Sequence, residues 1–112
     1  MPGSLATQHF ARRLKAARLA AGYTQTELGV RIGLEEDVAS TRINRYEKAV
    51  HKADIETIEK MARELGVPAA YLLASDDRLA KAILGFASLK PGDQDAVLAA
   101  IKKLAPNLPD IV

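Results

Sequence analysis

Apolar residues recur at three- and four-residue intervals through most of the chain, the spacing of helices that bury one face. Phe10, Leu14 and Ala17 form such a stripe from about Thr7 to Ala21, with Arg12, Arg13 and Lys15 assigned to other faces. Gly22 ends this helix as a left-handed C-terminal cap would. Thr24, Gln25, Thr26 and Glu27 then read as a capping box, in which the Thr24 hydroxyl accepts from the Glu27 N–H and the Glu27 carboxylate accepts from the Thr24 N–H. A second helix runs to about Ile32 with Leu28 and Ile32 inward, and Gly33 stops it. Gly29, on the same side, permits close approach by another helix.

A third helix is expected between Glu36 and Lys48, carrying Val38, Ile43 and Tyr46, and Val50 to Ala53 reads as a loop. Asp54 caps a fourth helix with Ile55, Ile58, Met61, Ala62 and Leu65 inward. Gly66 ends it, and Pro68 sits at the first turn of a fifth helix holding Tyr71, Leu72 and Leu73. Two further helices follow, about Asp76 to Ser88 (Leu79, Ile83, Phe86) and about Pro91 to Leu104 (Val97, Leu98, Ile101, Leu104), broken apart at Lys90, Pro91 and Gly92. Met1 to Ala6 shows no periodicity. No segment alternates as a strand would. The expected fold is therefore all-α: a five-helix unit over residues 7–75, a C-terminal two-helix hairpin over 76–104 and an extended tail over 105–112.

Composition narrows the function classes. At 112 residues and 48% hydrophobic, the chain has room for one compact domain. It contains no cysteine, so disulfides and thiolate metal sites are excluded, and His9 and His51 have no partner at metal-ligand spacing. No apolar run reaches the roughly 18 residues that span a bilayer, and the expectation is a cytoplasmic protein. No local pattern arranges a nucleophile with a base, and no glycine loop cradles a phosphate, so neither catalysis nor a cofactor is expected. The net charge is +2, and all of it lies in residues 1–75, where 11 Lys/Arg face 9 Asp/Glu; residues 76–112 carry 5 of each.

The second and third helices hold the chemistry. A short capped helix with a small residue on its packing face, a glycine turn and a helix rich in polar and basic residues is the layout that offers the latter helix to a major groove. Arg binds guanine bidentately, Asn or Gln binds adenine, and Ser or Thr binds either. Gln25, Ser40, Thr41, Arg42, Asn44 and Arg45 supply those groups, and Arg42, Arg45, Lys48, His51 and Lys52 cluster within 11 residues. With Glu47 counted, segment 42–52 carries four Lys/Arg against one acid, or +3. His51 reads as a solvated loop residue, and Tyr46 as packed against the domain rather than stacked on a base.

The run RLKAARLAAGYTQTELGVRIG, followed by INRYE and DIETIEKMARELGVPAAYLL, resembles the phage-repressor-like (Xre) helix-turn-helix family over about Phe10 to Leu73. The resemblance implies double-stranded DNA as partner, usually bound by a homodimer at a palindrome, with repression the commoner outcome. It places Thr24 at a phosphate-contacting position, Gln25 at a DNA-touching one, and Ser40, Thr41, Asn44 and Arg45 at groove-facing ones. It buries Ile43 and pairs Arg18 with Glu47. Lys48 and Lys52 complete the expected DNA-binding set. Three departures stand out. About four extra residues fall around Glu35 to Val38, so that either the turn lengthens or the third helix gains a turn at its start. Ala49 stands where the family often has Gly, and Ala53 where Pro often precedes Asp.

Two other readings compete. In one, the protein is the antitoxin of a toxin–antitoxin pair, its C-terminal hairpin clasping a small protein. In the other, the acidic turn at Glu35 to Asp37 marks an interaction module that has lost DNA reading. The apolar stripes of the hairpin are expected to close partly on themselves and to leave a surface for a second copy.

Overall fold

The computed structural model describes residues 3–112. Among the described residues seven helices follow one another: α1 (Leu5–Ala21), α2 (Gln25–Arg31), α3 (Glu36–Glu47), α4 (Ile55–Leu65), α5 (Ala69–Leu72), α6 (Asp77–Ser88) and α7 (Pro91–Leu104). There is no strand among the described residues.

Four of the seven helix N-termini among the described residues are capped by side chains, two of them, Thr24 and Asp54, at positions the sequence marks. The α1 helix starts two residues earlier than its apolar stripe suggests, because the Ser4 hydroxyl accepts from the Thr7 N–H at 3.2 Å; Met1 and Pro2 lie outside the described residues. Asp54 and Asp76 cap α4 and α6, accepting from the Thr57 and Leu79 N–H groups, each at 2.8 Å. Pro68 precedes α5 as its N-cap rather than sitting inside its first turn.

The five fully buried large side chains are Leu14, Leu28, Ile43, Met61 and Leu72. Each of the first five helices contributes one of them, so all five must assemble before the core closes. Truncation of such a residue to Ala costs about 2–5 kcal/mol. Around them pack Phe10, Ala17, Tyr46, Ala62, Leu65 and Tyr71. Three apolar residues of these helices turn outward, one of them, Ile55, assigned inward by periodicity. Val38, Ile55 and Leu73 are exposed, and on α3 the inner place falls to Ala39, one position on. Arg13 departs in the opposite sense. Three residues after Phe10 and four before Ala17, it lies on the inner stripe of α1 and is buried despite its charge.

The contact between α2 and α3 is the tightest in the molecule. A Cβ added at Gly29 would stand 2.5 Å from the Ala39 Cβ and 2.8 Å from its Cα. Only glycine lets the two helix backbones come this close. The intervening turn reverses at Gly33, whose φ is +99°. Glu36, Asp37 and Val38 form the first turn of α3. The additional residues therefore lengthen the helix at its start, the second of the two expected alternatives.

The C-terminal arm is built differently. The α6 helix turns at Leu89 and Lys90 into α7, where the Gln94 side chain donates to the Phe86 carbonyl at 2.9 Å. Ala80 is the one buried residue of α6, and α7 has none. Ile83, Phe86 and Val97 are half-buried, whereas Leu79, Leu98, Ile101 and Leu104 are exposed. An open apolar groove of about 400 Å³ lies between the two helices, walled by Ile83, Phe86, Val97, Leu98 and Ile101 together with Pro68.

Candidate nucleic-acid interface

Ala39, Ile43 and Tyr46 face the core, so α3 presents its other side outward. Asp37, Thr41, Asn44 and Lys48 recur at intervals of four, three and four, one stripe on that outer side. Arg45 borders the stripe, and Ser40 lies toward α2. Thr41, Arg45 and Lys48 are exposed and Asn44 is half-buried. Arg42, also exposed, sits on the flank of α3 away from α2 by its place in the helical period. Lys52 belongs to a separate place. It borders a small apolar cavity of about 150 Å³ walled by Ala6, Thr7, Phe10, Ala53, Ile58 and Leu73.

The α2 N-terminus is locked by the capping box. The Thr24 Oγ1 accepts from the Glu27 N–H at 3.0 Å, and Glu27 Oε1 accepts from the Thr24 N–H at 2.9 Å. The Thr24 N–H, and after it the Thr24 hydroxyl, hold the Glu27 carboxyl below its ordinary range.

Gln25 joins the two helices. Its Nε2 donates to Asn44 Oδ1 and to Glu47 Oε1, both at 3.2 Å, while its Oε1 accepts from Ser40 Oγ at 3.3 Å. Glu47 is held in turn by Arg18, whose Nε and Nη2 donate to Oε2 and Oε1 at 2.6 and 3.0 Å. Arg18 Nη1 also donates to the Tyr23 carbonyl at 2.9 Å. Only 9% of the Arg18 side chain and 3% of the Glu47 side chain are exposed, so this is a bidentate pair shielded from water. The hydrogen bond to Glu47 outweighs burial and raises the Arg18 pKa further. The chain of contacts runs from a buried ion pair through one amide to Ser40 and to Asn44 of the outer stripe, both of which it orients. Periodicity carries no sign of the Arg18–Glu47 pair, whose members stand 29 residues apart. That pairing follows from the family resemblance, and nothing in the sequence signals the link onward to Gln25.

Aromatic and basic groups extend the surface. The Arg31 guanidinium lies 4.4 Å from the centre of the Tyr23 ring, and its Nη1 lies 3.7 Å from Glu64 Oε1. Glu35, Glu36 and Asp37 are all exposed at the start of α3. Carboxylates in a first helical turn are favoured by the helix dipole, which accounts for their tolerance there. Glu36 borders the α2 side, near Thr26, Val30 and Arg31, whereas Asp37 stays on the outer stripe.

No cluster of metal-ligating side chains occurs among the described residues, and no described helix is long and apolar enough to cross a membrane. The helix-turn-helix family model matches residues 14–72, just over half of the chain. No curated protein matches. Among solved structures, the crystal structure of the transcriptional regulator BswR is similar, with 42% identity and a TM-score of 0.81 over 86% of this chain and 95% of that one. The family match over α1 to α5 and the shared fold place the packed α2–α3 pair in a known context: the chain belongs to the phage-repressor-like (Xre) type of helix-turn-helix family.

Proposed function

We propose that the protein is a dimeric, sequence-specific transcriptional regulator, most simply a repressor, that binds a palindromic operator. The observation that carries this reading is the outer face of α3, with Thr41, Arg45 and Lys48 exposed, Asn44 half-buried, and Ser40 and Asn44 oriented by Gln25. Residues 7–75 supply DNA binding and residues 76–104 supply dimerisation. Thr41, Asn44 and Arg45 read base edges. Thr24, Arg42 and Lys48 bind phosphates, which positions the domain and gives a salt-dependent affinity.

Surface area supports the dimer. A compact monomer of 12.1 kDa exposes about 6,000 Å². This chain exposes 7817 Å², roughly 1,800 Å² more. Its radius of gyration is 16.0 Å, against about 13 Å for a compact chain of this length. A stable interface takes about 800 Å² from each partner, so the surplus is ample for one. Part of the exposed apolar surface lies on α6 and α7, where a second copy related by a two-fold axis would cover Leu98, Ile101 and Leu104. Two recognition helices would then sit about 34 Å apart, in successive major grooves.

The test is selection from a randomised duplex library at two salt concentrations, with sedimentation of the free protein alongside. A palindromic motif, an affinity that falls steeply with salt and a dimeric mass are expected. Absence of any enriched motif, with negligible binding at low salt, would end the DNA-reading proposal. Co-purification of a small protein seated on α6 and α7 would turn the reading toward an antitoxin.

A further inference from the structure

The C-terminal arm meets the five-helix unit over a small area. On α6 the residues turned toward that unit are Asp77, Ala80 and Ile83, three apart and so on one face. Ala80 is buried but small, and Ile83 is only partly buried against the core. Apolar contact of this kind seats a helix without fixing its angle. The fixed point is polar. Asp77 Oδ1 accepts from Arg13 Nη1 at 3.0 Å and from Arg12 Nη1 at 3.3 Å, two adjacent residues of α1 that bracket the start of α6. Arg13 Nε donates to the Ala74 carbonyl at 3.2 Å, in the connector just before α6. The Arg13 guanidinium also lies 5.8 Å from the Tyr71 ring centre, on α5.

The two sides of this clasp differ in kind. The Arg13 side chain is 8% exposed, whereas that of Asp77 is 72% exposed. Arg13 Nη2 is buried with no partner among the described residues. A buried guanidinium already short of one acceptor strongly favours keeping the carboxylate it has. Arg13 thus acts as an anchor set in the DNA-binding unit, and Asp77 as the pin on the arm.

Resting on the dimer proposed above, we infer that Asp77 is a positioning residue for half-site spacing: by pinning α6 to Arg12 and Arg13, it fixes the angle of the dimerising arm and hence the separation of the two recognition helices. Magnitude makes a single pin relevant. The 12 residues of α6 span about 18 Å, so a tilt of about 10° at Asp77 moves the far end by about 3 Å. That is close to the rise of one base pair, about 3.4 Å. A dimer with a rigid arm accepts one spacer length, and a dimer with a loosened arm accepts several at lower affinity for the best one.

The experiment selects paired half-sites from a duplex library with spacers of variable length, using the full chain, Asp77→Asn, Arg12→Ala and, as a charge control on α7, Asp93→Asn. Melting and sedimentation of each variant accompany the selection. Asp77→Asn should remain folded and dimeric, since Asp77 is exposed and the α6 cap is Asp76. Its half-site motif should be unchanged, its spacer distribution should widen by at least one base pair, and affinity for the best site should fall about three- to tenfold. Arg12→Ala should widen the distribution less, and Asp93→Asn should leave it as in the parent. A spacer preference in Asp77→Asn as narrow as in the parent overturns the inference while leaving the dimer intact. A parent protein that is monomeric, or indifferent to spacing, removes the dimer reading and this inference together.

Discussion

Gln25 donates to the same Glu47 oxygen, Oε1, that accepts from Arg18 Nη2. The amide at the start of α2 therefore rests on an ion pair between α1 and the end of α3, and the stability of the fold and the proposed reading face share one atom. The two can still be separated. Arg18→Met leaves a carboxylate buried without its bidentate partner and should cost about 3–5 kcal/mol in chemical denaturation. Gln25→Ala removes no buried charge and should cost less than about 1.5 kcal/mol of stability. It should nevertheless weaken binding to the selected operator about tenfold, because Ser40 and Asn44 lose the group that orients them. Equal losses of stability in the two variants would refute this division.

Gly29 against Ala39 sets the angle at which α3 is presented. A methyl group at position 29 would meet both the Cβ and the Cα of Ala39, so neither a rotamer change nor a small side-chain shift relieves it. Gly29→Ala should destabilise the fold by about 3 kcal/mol or more despite the better helix propensity of alanine. Adding Ala39→Gly in the same chain removes the clash with the side chain at position 39 but not the clash with the α3 backbone, and should restore only part of the loss. Full rescue in a denaturation series would mean that the helix backbones can part more easily than their packing implies.

The same pair illustrates what the sequence discloses. Gly29, the capping box and the glycine stops are local signals, since each acts within a few residues or constrains its own backbone, and the helices stand where those signals put them. The extra residues before Ile43 are ambiguous in the sequence because a lengthened turn and a lengthened helix suit the same polar residues equally; packing of Ala39 on Gly29 decides for the helix. Charge argues for an outward Arg13 although its spacing from Phe10 puts it on the inner stripe, and only the Ala74 carbonyl and Asp77, more than 60 residues away, make its burial tolerable. Ile55 and Leu73 turn outward for a simpler reason. Each lies at a helix end, where neighbouring elements no longer cover the stripe.

Ala49 follows α3 with φ at +59°, in the left-handed region where a Cβ is strained. Its carbonyl accepts from the Gly3 N–H at 2.9 Å, which ties the conformation to the start of the chain. Ala49→Gly should relieve the strain and stabilise the protein by about 1 kcal/mol, less the greater freedom that glycine confers on the unfolded chain. A lower melting temperature for this variant would show that burial of the Ala49 methyl group contributes more than the strain costs.

Asp37 interrupts an outer stripe that is otherwise neutral or basic. Facing a duplex, its carboxylate either accepts from cytosine N4 or repels phosphate. If repulsion prevails, Asp37→Asn should strengthen binding to non-operator DNA several-fold at low salt, with the operator-to-random ratio falling. Lys48→Ala should weaken all sequences about equally, leaving the operator-to-random ratio unchanged, and lower the salt slope by about 1, whereas Arg45→Ala should lose preference at particular bases. Filter-binding or anisotropy titrations at several salt concentrations distinguish the three. Weaker operator binding by Asp37→Asn, with preference lost at one base pair, would instead mark the carboxylate as an acceptor from bases.

Acid should lower the stability of the protein in part through three carboxylates that are hydrogen-bonded in the folded chain. Hydrogen bonds from Thr24 hold Glu27 below its ordinary range, those from Thr57 do the same for Asp54, and those from Arg13 with the charge of Arg12 do so for Asp77. Each is more acidic folded than unfolded, so the unfolded chain binds more protons at low pH. Their stabilisation is complete above the unfolded values and declines as pH falls below about 4.5, through the depressed folded values. Melting temperature should therefore be flat from about pH 6 to 7 as far as these groups are concerned and drop below about pH 4.5. Glu27→Gln and Asp54→Asn each remove one contributor, so the double variant should be less stable at neutral pH and show a shallower acid decline. A decline as steep as that of the parent would assign the acid sensitivity to other carboxylates, with the α2 and α4 caps contributing through geometry rather than charge.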